Sequence, residues 1–308
     1  MLDSSGSGIS VIIPYYNREQ FIDEAIQSVL AQTLQPLEII IVNDGSRESS
    51  RRYLDRYAGV CTIIDMSVNA GSAAARNEGI RRARGHWIAF QDDDDIWLPE
   101  KLAIEMRYME EHPACDAVQS AVWAFFANKP DQMWGFDRPS PLTLADALTC
   151  EYSVMQQTML ISTESVRAVG GYDPRFRRVQ DYEFFIRYAA AGHRLESIRE
   201  PLARLRRQGH ECATQHRWSL LFKHLRLLWK HKALYHRVFG MRGIVRYVLV
   251  MLERRCNRMH IAGGAMRALL RLLPNRLLSV SCRVRTDYQE PVGRILPAVQ
   301  TTAPRRTK

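Results

Sequence analysis

The sequence predicts an α/β protein built on a mostly parallel β-sheet flanked by helices, followed by a basic helical region. Short runs of β-branched residues alternate with segments whose apolar residues recur at helical spacing. Polar, turn-forming residues follow several of these runs. The net charge also changes sign between the first two thirds of the chain and the rest. Alternating strands and helices are typical of a parallel sheet that is covered on both faces.

The first part of the predicted sheet comes from two buried strands, each followed by a helix. Residues Ile9–Pro14 (ISVIIP) predict the first strand, because β-branched residues favour extended structure. Residues Arg18–Gln32 predict a helix that ends before Pro36. Leu37–Val42 (LEIIIV) predicts the second strand, and Arg47–Tyr57 the helix after it.

The next two strands bring acidic residues to one edge of the sheet. Cys61–Asp65 predicts the third strand, Ala73–Arg84 a helix, and His86–Phe90 the fourth strand. Asp44 follows the second strand, and the aspartate run Asp92–Asp95 follows the fourth. Ligands of parallel sheets bind beyond the carboxyl ends of the strands. The sequence therefore predicts a ligand site at this edge.

Length and composition limit the class of protein. The 308 residues, 46% hydrophobic and 25% charged, suffice for a sizeable globular core. The six cysteines include no CxxC pair, which argues against a zinc site and suits reduced thiols. The first residues lack the features of a signal peptide, and no apolar stretch has the length of a membrane span. We therefore expect a cytoplasmic protein.

The chain divides into an acidic part and a basic part. Residues 1–215 hold 23 Lys+Arg and 30 Asp+Glu, a net charge of −7, whereas residues 216–308 hold 20 and 3, a net charge of +17. Such asymmetry suggests that the two parts do different work. The expected divisions are a disordered N-terminus (1–8), an α/β domain (9–215), a basic amphipathic helical region (216–296) and a disordered tail (297–308).

The aspartate run has two interpretations. It can be a solvated acidic turn before the helix that begins near Pro99, because acidic residues suit a helix N-terminus. It can also hold a cation: in an extended chain Asp92 and Asp94 point to one face, and adjacent carboxylates repel one another. Two carboxylates leave most coordination positions open, as Mg²⁺ or Mn²⁺ on a substrate diphosphate requires. We favour the metal–diphosphate site.

Four blocks of the sequence share their order and spacing with one protein family. They are VIIPYYN (11–17), IVNDGS (41–46), NAGSAAARNEG (69–79) and FQDDDDIW (90–97). Together they resemble glycosyltransferase family 2, whose members have the GT-A fold and use nucleotide-sugar donors. The resemblance covers roughly residues 9–215 and identifies that range as a GT-A glycosyltransferase domain.

The resemblance implies roles for residues in these blocks. Tyr16 would stack on the nucleotide base, Asp44 would accept a hydrogen bond from it, and Arg76 would lie near the base or the phosphates. Asp92 would face the ribose and the metal ion, and Asp94 would bind the metal. The same residues also suit plain structural roles, as turn residues or, for Arg76, as a solvated helix residue. The nucleotide-binding residues implied are Pro14, Tyr16, Asn17, Asp44, Arg76, Asp92 and Asp93, and the metal ligands are Asp92 and Asp94.

A further block, Gly170–Arg187, joins a Gly/Pro turn to a helix. Asp181 can be a favourable acid of the first helical turn, but it also matches the family's catalytic base. Family members open this helix with a Glu-Asp pair, whereas Gln180 replaces the glutamate here. A carboxylate must take the proton of the attacking sugar hydroxyl, and burial or like charge would raise its pKa from about 3.9. Arg206 and His210 are candidates for a basic loop near the diphosphate, and a plain basic linker is the alternative.

The basic region repeats apolar residues at helical spacing with Lys and Arg between them. The apolar positions are Trp218, Leu221, Phe222, Leu225, Leu228 and Trp229, with further segments at Ile244–Leu252 and Ala265–Leu273. These helices can pack on the catalytic domain, or they can attach the protein to an anionic membrane surface. We favour the membrane. Nucleic acid is the competing polyanion, but the sequence contains no recognised nucleic-acid module, so we expect no nucleic-acid partner.

We therefore expect a metal-dependent, inverting glycosyltransferase that uses Mn²⁺ or Mg²⁺ and a UDP- or dTDP-sugar. Its acceptor would be a saccharide or lipid-linked molecule in cell-envelope polysaccharide synthesis, at the cytoplasmic face of the membrane. The alternative is a catalytically silent GT-A-like nucleotide-binding module, which would be free to lose Asp44, Asp92, Asp94 and Asp181. A nucleotidyltransferase shares the use of nucleotide and metal but usually carries a glycine-rich, basic first loop, which this sequence lacks.

Overall fold

The computed structural model describes residues 8–136, 140–149, 154–177, 179–207 and 217–258. These residues form two compact units. One comprises the described residues up to Leu142 and from Val154 to Arg207, and the other comprises residues 143–149 and 217–258. The expected disordered tail at 297–308 lies outside the described residues, as does the expected N-terminus apart from Gly8.

A nine-stranded sheet forms the centre of the first unit, as far as the structure describes it. Its strands are β1 Ile9–Tyr15, β2 Glu38–Asn43, β3 Thr62–Asp65, β4 Trp87–Phe90, β5 Ile96–Trp97, β6 Ala117–Phe126, β7 Lys129–Phe136, β8 Met159–Ser162 and β9 Leu195–Arg207. The order is β3-β2-β1-β4-β8-β6-β9-β5, with β7 paired to β6. β1 to β4 pair in parallel, as do β6 and β9. The other pairings, through β5, β7 and β8, are antiparallel.

The helices of the first unit lie between its strands in the chain, and the longer helices of the second unit follow β9. Those of the first unit are α1 Ile22–Leu30, α2 Glu48–Tyr53, α3 Ser72–Arg82, α4 Lys101–Glu111, α6 Thr163–Ala168 and α7 Gln180–Ala190. Those of the second unit are α5 Leu144–Thr149, α8 Arg217–Lys230 and α9 Lys232–Arg258. The predicted fold class is confirmed: strands and helices lie where the sequence predicts them up to α4. The antiparallel strands are an addition that the sequence pattern does not predict.

The parallel register aligns the strand ends that carry the acidic residues. Every residue of β1 is buried because β2 and β4 flank it in the sheet. Tyr15 pairs with Asn43, and Asn43 pairs with Asp65, so the loops that follow β1, β2 and β3 begin at one edge. α3 covers this part of the sheet closely, because a Cβ at Gly79 would lie 2.4 Å from a methyl carbon of Ile12.

The second unit contains a contact between distant parts of the chain. The Tyr235 hydroxyl on α9 donates to the Leu148 carbonyl on α5 at 2.7 Å, and Tyr235 is fully buried. α9 changes direction at Gly240, whose φ of 64° is not helical. Trp229, which we assigned to the apolar face of the predicted helix, is 73% exposed, whereas Leu227 is fully buried. Trp229 is therefore an apolar position of α8 that remains exposed.

The calculated hydropathy of the described helices excludes a helical membrane span among them. Ala265–Leu273 and the rest of the basic region beyond Arg258 lie outside the described residues.

Candidate active site

Asp44 fixes the loop that leads into α3. It is 3% exposed, and its two carboxylate oxygens accept hydrogen bonds from the backbone amides of Ala70 and Gly71, each at 2.8 Å. Gly45 must be glycine, because its φ is 66° and a Cβ there would lie 2.7 Å from the backbone of Val68. Asp44 is thus at the predicted edge, with both oxygens already bonded to backbone.

The loop after β1 presents an exposed aromatic ring. Tyr16 is 45% exposed, and its backbone amide donates to Asp93 Oδ2 at 3.3 Å. Asn17 has a φ of 51°, its amide donates to Ser46 Oγ, and its Oδ1 accepts from the Arg47 amide at 3.0 Å. These bonds tie the β1 loop to the β2 loop. Pro14 is buried within β1, opposite Val42.

The aspartate run forms a turn, which corrects the extended geometry expected from the sequence. The Asp95 amide donates to the Asp92 carbonyl at 3.3 Å, and residues 93 and 94 form the bend. Asp95 is buried, and its Oδ1 accepts from the Arg206 amide at 2.8 Å. Burial raises the pKa of Asp95 well above its usual range, as do the charges of its neighbours in the run. Asp95 therefore anchors the turn to β9.

The other three carboxylates of the run face two guanidinium groups. Asp92 Oδ1 lies 2.6 Å from Arg76 Nη2, and Asp94 Oδ2 lies 2.6 Å from Arg18 Nη1. Burial and the charge of Asp94 raise the pKa of Asp93 to about 8, while Arg18 opposes the rise. Burial and the charge of Asp92 likewise raise the pKa of Asp94. The pKa of Asp93 and of Asp94 is therefore raised because the run brings several acidic groups together in a buried turn.

The donor set of the run suits a divalent cation only when a ligand supplies further oxygens. No three His, Cys, Asp or Glu side chains of the described residues are arranged to hold a metal ion. Asp92 and Asp94 each use only one oxygen in the ion pairs with arginine. Two carboxylates that each keep one oxygen outside the ion pair fit Mg²⁺ or Mn²⁺ whose remaining ligands are diphosphate oxygens and water. The residues present therefore fit such a group as a partial shell.

Asp181 lies in the first turn of α7 with an unpaired oxygen. Its Oδ1 is buried and has no hydrogen-bond partner among the described residues. Burial raises its pKa to about 6; the charge of Asp92 adds to the rise, and that of Arg76 opposes it. The neighbouring Gln180 bonds its amide to Ser72 Oγ at 2.9 Å, which joins α7 to the start of α3. The replacement of the family's glutamate thus leaves a side chain that still positions α7.

Arg76 connects the aspartate run to Asp181. It is 3% exposed, unlike the solvated helix residue that the sequence allowed, and it bonds Asp92. Its positive charge acts on both Asp92 and Asp181. Arg81 and Arg82, on the outer face of the same helix, pair with Glu78 and are more than half exposed. Helical position therefore separates Arg76 from its basic neighbours.

Sequence reasoning missed three groups at this site. Arg18 pairs with Asp94, while Tyr172 and Gln156 are buried close to Asp181. Tyr172 stands in the Gly/Pro block and offered a signal, whereas nothing in the sequence marks Gln156. The side chain of the candidate Arg206 is 10% exposed, and its Nε donates to the Asp94 backbone carbonyl at 3.0 Å. His210 lies outside the described residues.

Comparisons with solved structures bear on the fold. The crystal structure of S. aureus TarS 1–349 in complex with UDP matches with a TM-score of 0.58 at 16% identity, over 81% of this chain and 72% of that one. The crystal structure of GalNAc-T7 with UDP, GalNAc and Mn²⁺ also gives 0.58, at 15% identity, over 87% of this chain and 54% of that one. These likenesses support the GT-A fold.

Comparisons with sequences bear on the family. The model for glycosyl transferase family 2 matches residues 10–161. A Bacillus subtilis (strain 168) protein, provisionally named the teichuronic acid biosynthesis glycosyltransferase TuaG, is 30% identical over 202 residues, 64% of this chain and 78% of that one. An uncharacterized glycosyltransferase of Haemophilus influenzae is 28% identical, and this chain spans 61% of its length. An uncharacterized glycosyltransferase of Rickettsia felis is 42% identical over 110 residues, and this chain spans 17% of its length. The chain therefore belongs to glycosyltransferase family 2.

Proposed function

We propose that this chain is a metal-dependent, inverting glycosyltransferase. It moves a sugar from a nucleotide-diphosphate donor, a UDP- or dTDP-sugar, to a saccharide or lipid-linked acceptor in cell-envelope polysaccharide synthesis. The proposal rests on the position of Arg76. This residue forms an ion pair with Asp92, and its positive charge also acts on Asp181, whose Oδ1 has no hydrogen-bond partner among the described residues. The name of TuaG and the UDP and UDP-GlcNAc bound to S. aureus TarS support the choice of product class and donor.

The donor side of the proposed site combines an exposed ring with the aspartate run. Tyr16 offers its ring to the nucleotide base, and Asp44 fixes the neighbouring loop. Asp92 and Asp94 would hold Mn²⁺ or Mg²⁺, which supplies Lewis-acid stabilisation of the leaving diphosphate when bound. Arg18 and Arg76 stand beside the same carboxylates and would keep their orientation. Asp93 lies between them, with the Tyr16 amide as a partner.

The acceptor side of the proposed site depends on Asp181. Its carboxylate takes the proton of an acceptor hydroxyl as that oxygen forms a bond to the anomeric carbon. The bond from the anomeric carbon to the diphosphate breaks in the same step, so a single displacement inverts the configuration. A pKa of about 6 leaves most of Asp181 ionised at neutral pH, yet makes it a stronger base than an ordinary aspartate.

A donor panel tests this proposal. Purified full-length protein would be incubated with UDP- and dTDP-sugars, Mn²⁺ and saccharide acceptors, with nucleotide release and metal-dependent thermal stabilisation as the measurements. We expect at least one sugar to give both signals, and EDTA to abolish both. Stabilisation without release from any sugar would indicate a silent nucleotide-binding module. If neither signal appears with any sugar, the proposed function is wrong.

We further propose that the second unit attaches the protein to an anionic membrane surface at the cytoplasmic face. Among the side chains that the structure describes on α8 and α9, three large apolar ones are exposed: Trp229 at 73%, Met241 at 64% and Val245 at 46%. They accompany the basic charge of residues 216–308. Exposed aromatic and aliphatic side chains beside basic residues suit the boundary between headgroups and acyl chains.

A further inference from the structure

Besides two nitrogens of Arg76, three buried polar atoms at the proposed base have no hydrogen-bond partner among the described residues. They are the amide nitrogen Nε2 of Gln156, the hydroxyl of Tyr172 and Oδ1 of Asp181. They come from three segments: the 3₁₀ turn Gln156–Thr158, the Gly/Pro turn that precedes α7, and the first turn of α7. A buried polar atom left unpaired destabilises the folded protein. Three such atoms at one place therefore indicate a function.

Packing on all sides holds the Tyr172 hydroxyl in place. The ring is 2% exposed, stacks on Phe184 with centroids 4.6 Å apart, and meets Phe90 edge-on at 5.7 Å. The Asn77 side chain binds the backbone of Tyr172 on both sides, accepting from its amide at 2.8 Å and donating to its carbonyl at 2.7 Å. The ring cannot turn away from Asp181 without breaking these contacts.

Gln156 is equally fixed and acts on both neighbours. It is 2% exposed, and its turn is anchored where the Trp97 indole donates to the Gln157 carbonyl at 2.9 Å. Burial raises the pKa of Asp181 and of Tyr172, and the Gln156 side chain is among the groups that oppose the rise in each case. The Gln156 amide is therefore close to both groups. It is a donor, and Asp181 Oδ1 is an acceptor without a partner.

We propose that Gln156 is a positioning residue that orients the Asp181 carboxylate. Its amide donates to Asp181 Oδ1 in the reacting complex and holds the carboxylate toward the acceptor hydroxyl. The adjacent Tyr172 hydroxyl keeps the Gln156 amide in this orientation. Catalytic hydrogen bonds are often long in ligand-free proteins and tighten when substrate binds. The inference rests on the proposed function, because it assigns Gln156 to the same base.

The test compares single variants with a double variant in the full-length chain. Nucleotide release would be measured with the donor sugar that wild-type protein turns over fastest, and UDP affinity by titration with Mn²⁺. The variants are Gln156→Ala, Gln156→Asn, Tyr172→Phe, Asp181→Asn and Gln156→Ala/Asp181→Asn. Gln157→Ala, at the adjacent half-buried glutamine, is the control. Far-ultraviolet circular dichroism and thermal melting would verify folding of each variant.

We expect Gln156→Ala to lower kcat about 10–100-fold with unchanged UDP affinity, because orientation but not donor binding is lost. Gln156→Asn should recover part of the rate, and Tyr172→Phe should lose less than Gln156→Ala. The double variant should be no slower than Asp181→Asn alone, because a group that acts only through another adds nothing once the other is gone. Gln157→Ala should match wild type.

Four outcomes would overturn the inference. An unchanged kcat in folded Gln156→Ala, with Asp181→Asn still slow, would remove the role of Gln156 and leave Asp181 as the base. Additive losses in the double variant would show a structural effect independent of Asp181. A wild-type rate in Asp181→Asn, or no release by wild-type protein from any donor, would overturn the proposed function together with this role.

Discussion

At the scale of the residue, Asp44 and Asp92 have different tasks although both follow strands of one parallel sheet. Asp44 gives both oxygens to backbone amides, which stabilises a loop. Asp92 forms an ion pair with Arg76 through Oδ1, and its other oxygen lies outside that pair. The sequence predicts that such residues meet at one edge, because strand ends are a local feature. It does not predict their partners, such as Arg18, because pairing across loops depends on the folded backbone.

Replacing Asp94 by asparagine tests the proposed metal site. We expect Mn²⁺-dependent UDP binding to be lost, because a neutral amide cannot replace a carboxylate in this partial shell. The melting temperature at pH 7 in EDTA should stay level or rise slightly. The pKa of Asp94 is raised in the folded state, so its charged form opposes folding above that pKa. The lost ion pair with half-exposed Arg18 offsets this by at most about 1 kcal/mol.

The control for this variant is Asp131→Asn, at an exposed aspartate of β7. It removes the same charge from the surface and should bind UDP with Mn²⁺ like wild type. Undiminished metal-dependent binding by Asp94→Asn would place the metal elsewhere. Calorimetric titration of UDP, with and without Mn²⁺, distinguishes these results.

Replacing Asp181 by asparagine tests the base. Turnover should fall about 10²–10⁴-fold, the usual contribution of a general base, with donor affinity near that of wild type. In wild type, kcat/KM should rise as pH increases through about 6, because the base acts only when deprotonated. This limb should be absent from the residual activity of the variant. Lost donor affinity with unchanged turnover would instead make Asp181 a binding residue.

At the scale of the element, the sequence pattern predicts those strands and helices that depend on interactions between residues close together in the chain. The apolar runs of β1, β2 and β4 and the helical spacing of α1 and α3 are such signals, and these elements lie where expected. The run Ala117–Phe126 is equally apolar, but its parallel pairing with β9 and antiparallel pairing with β8 depend on residues about 40 to 80 positions away. Direction of pairing in this half of the sheet is thus a long-range property.

α4 contains a buried ion pair whose contribution to the stability of the protein can be measured. Lys101 Nζ lies 2.5 Å from Glu105 Oε2, both side chains are fully buried, and the ammonium lies 4.3 Å from the Trp97 ring centroid. Glu105→Leu should lower the free energy of unfolding by about 3 kcal/mol, because it leaves the Lys101 amine buried without its partner. Glu105→Leu combined with Lys101→Met should recover most of that loss. Urea denaturation at pH 7 measures both.

An exposed pair of the same spacing provides the comparison. Glu48 and Arg52 on α2 are more than 70% exposed at their side chains, so Glu48→Leu should change the free energy of unfolding by less than about 1 kcal/mol. If Glu105→Leu is no more costly than Glu48→Leu, burial does not govern the Lys101–Glu105 pair. If the double variant is as unstable as the single one, lost packing rather than the unpaired amine explains the cost.

At the scale of the whole molecule, charge and connectivity divide the chain at different places. Charge alone puts residues 143–149 in the acidic part, whereas the structure groups α5 with α8 and α9. The reason is a contact between Leu148 and Tyr235, which lie too far apart in the chain for any local pattern to reveal. A truncation at residue 215 would remove the partner of Leu148. Variants of the full-length chain are therefore the cleaner test of the basic region.

The proposed membrane attachment predicts that full-length protein co-sediments with anionic vesicles and is released as salt rises, because the screening length falls to about 10 Å at 0.1 M. Replacing the exposed Trp229 by serine should weaken binding at every salt concentration, since it removes an apolar contact. Lys232→Glu/Arg237→Glu, at two exposed basic residues of α9, should weaken binding most at low salt. Lys129→Glu, at an exposed lysine of β7 in the first unit, is the control and should weaken vesicle binding less.

Equal binding to neutral and anionic vesicles would contradict the electrostatic part of the proposal. If the Trp229 and α9 variants bind as wild type does, these helices are not the attachment site, and absence of binding to any vesicle would leave their basic faces as a solvated surface.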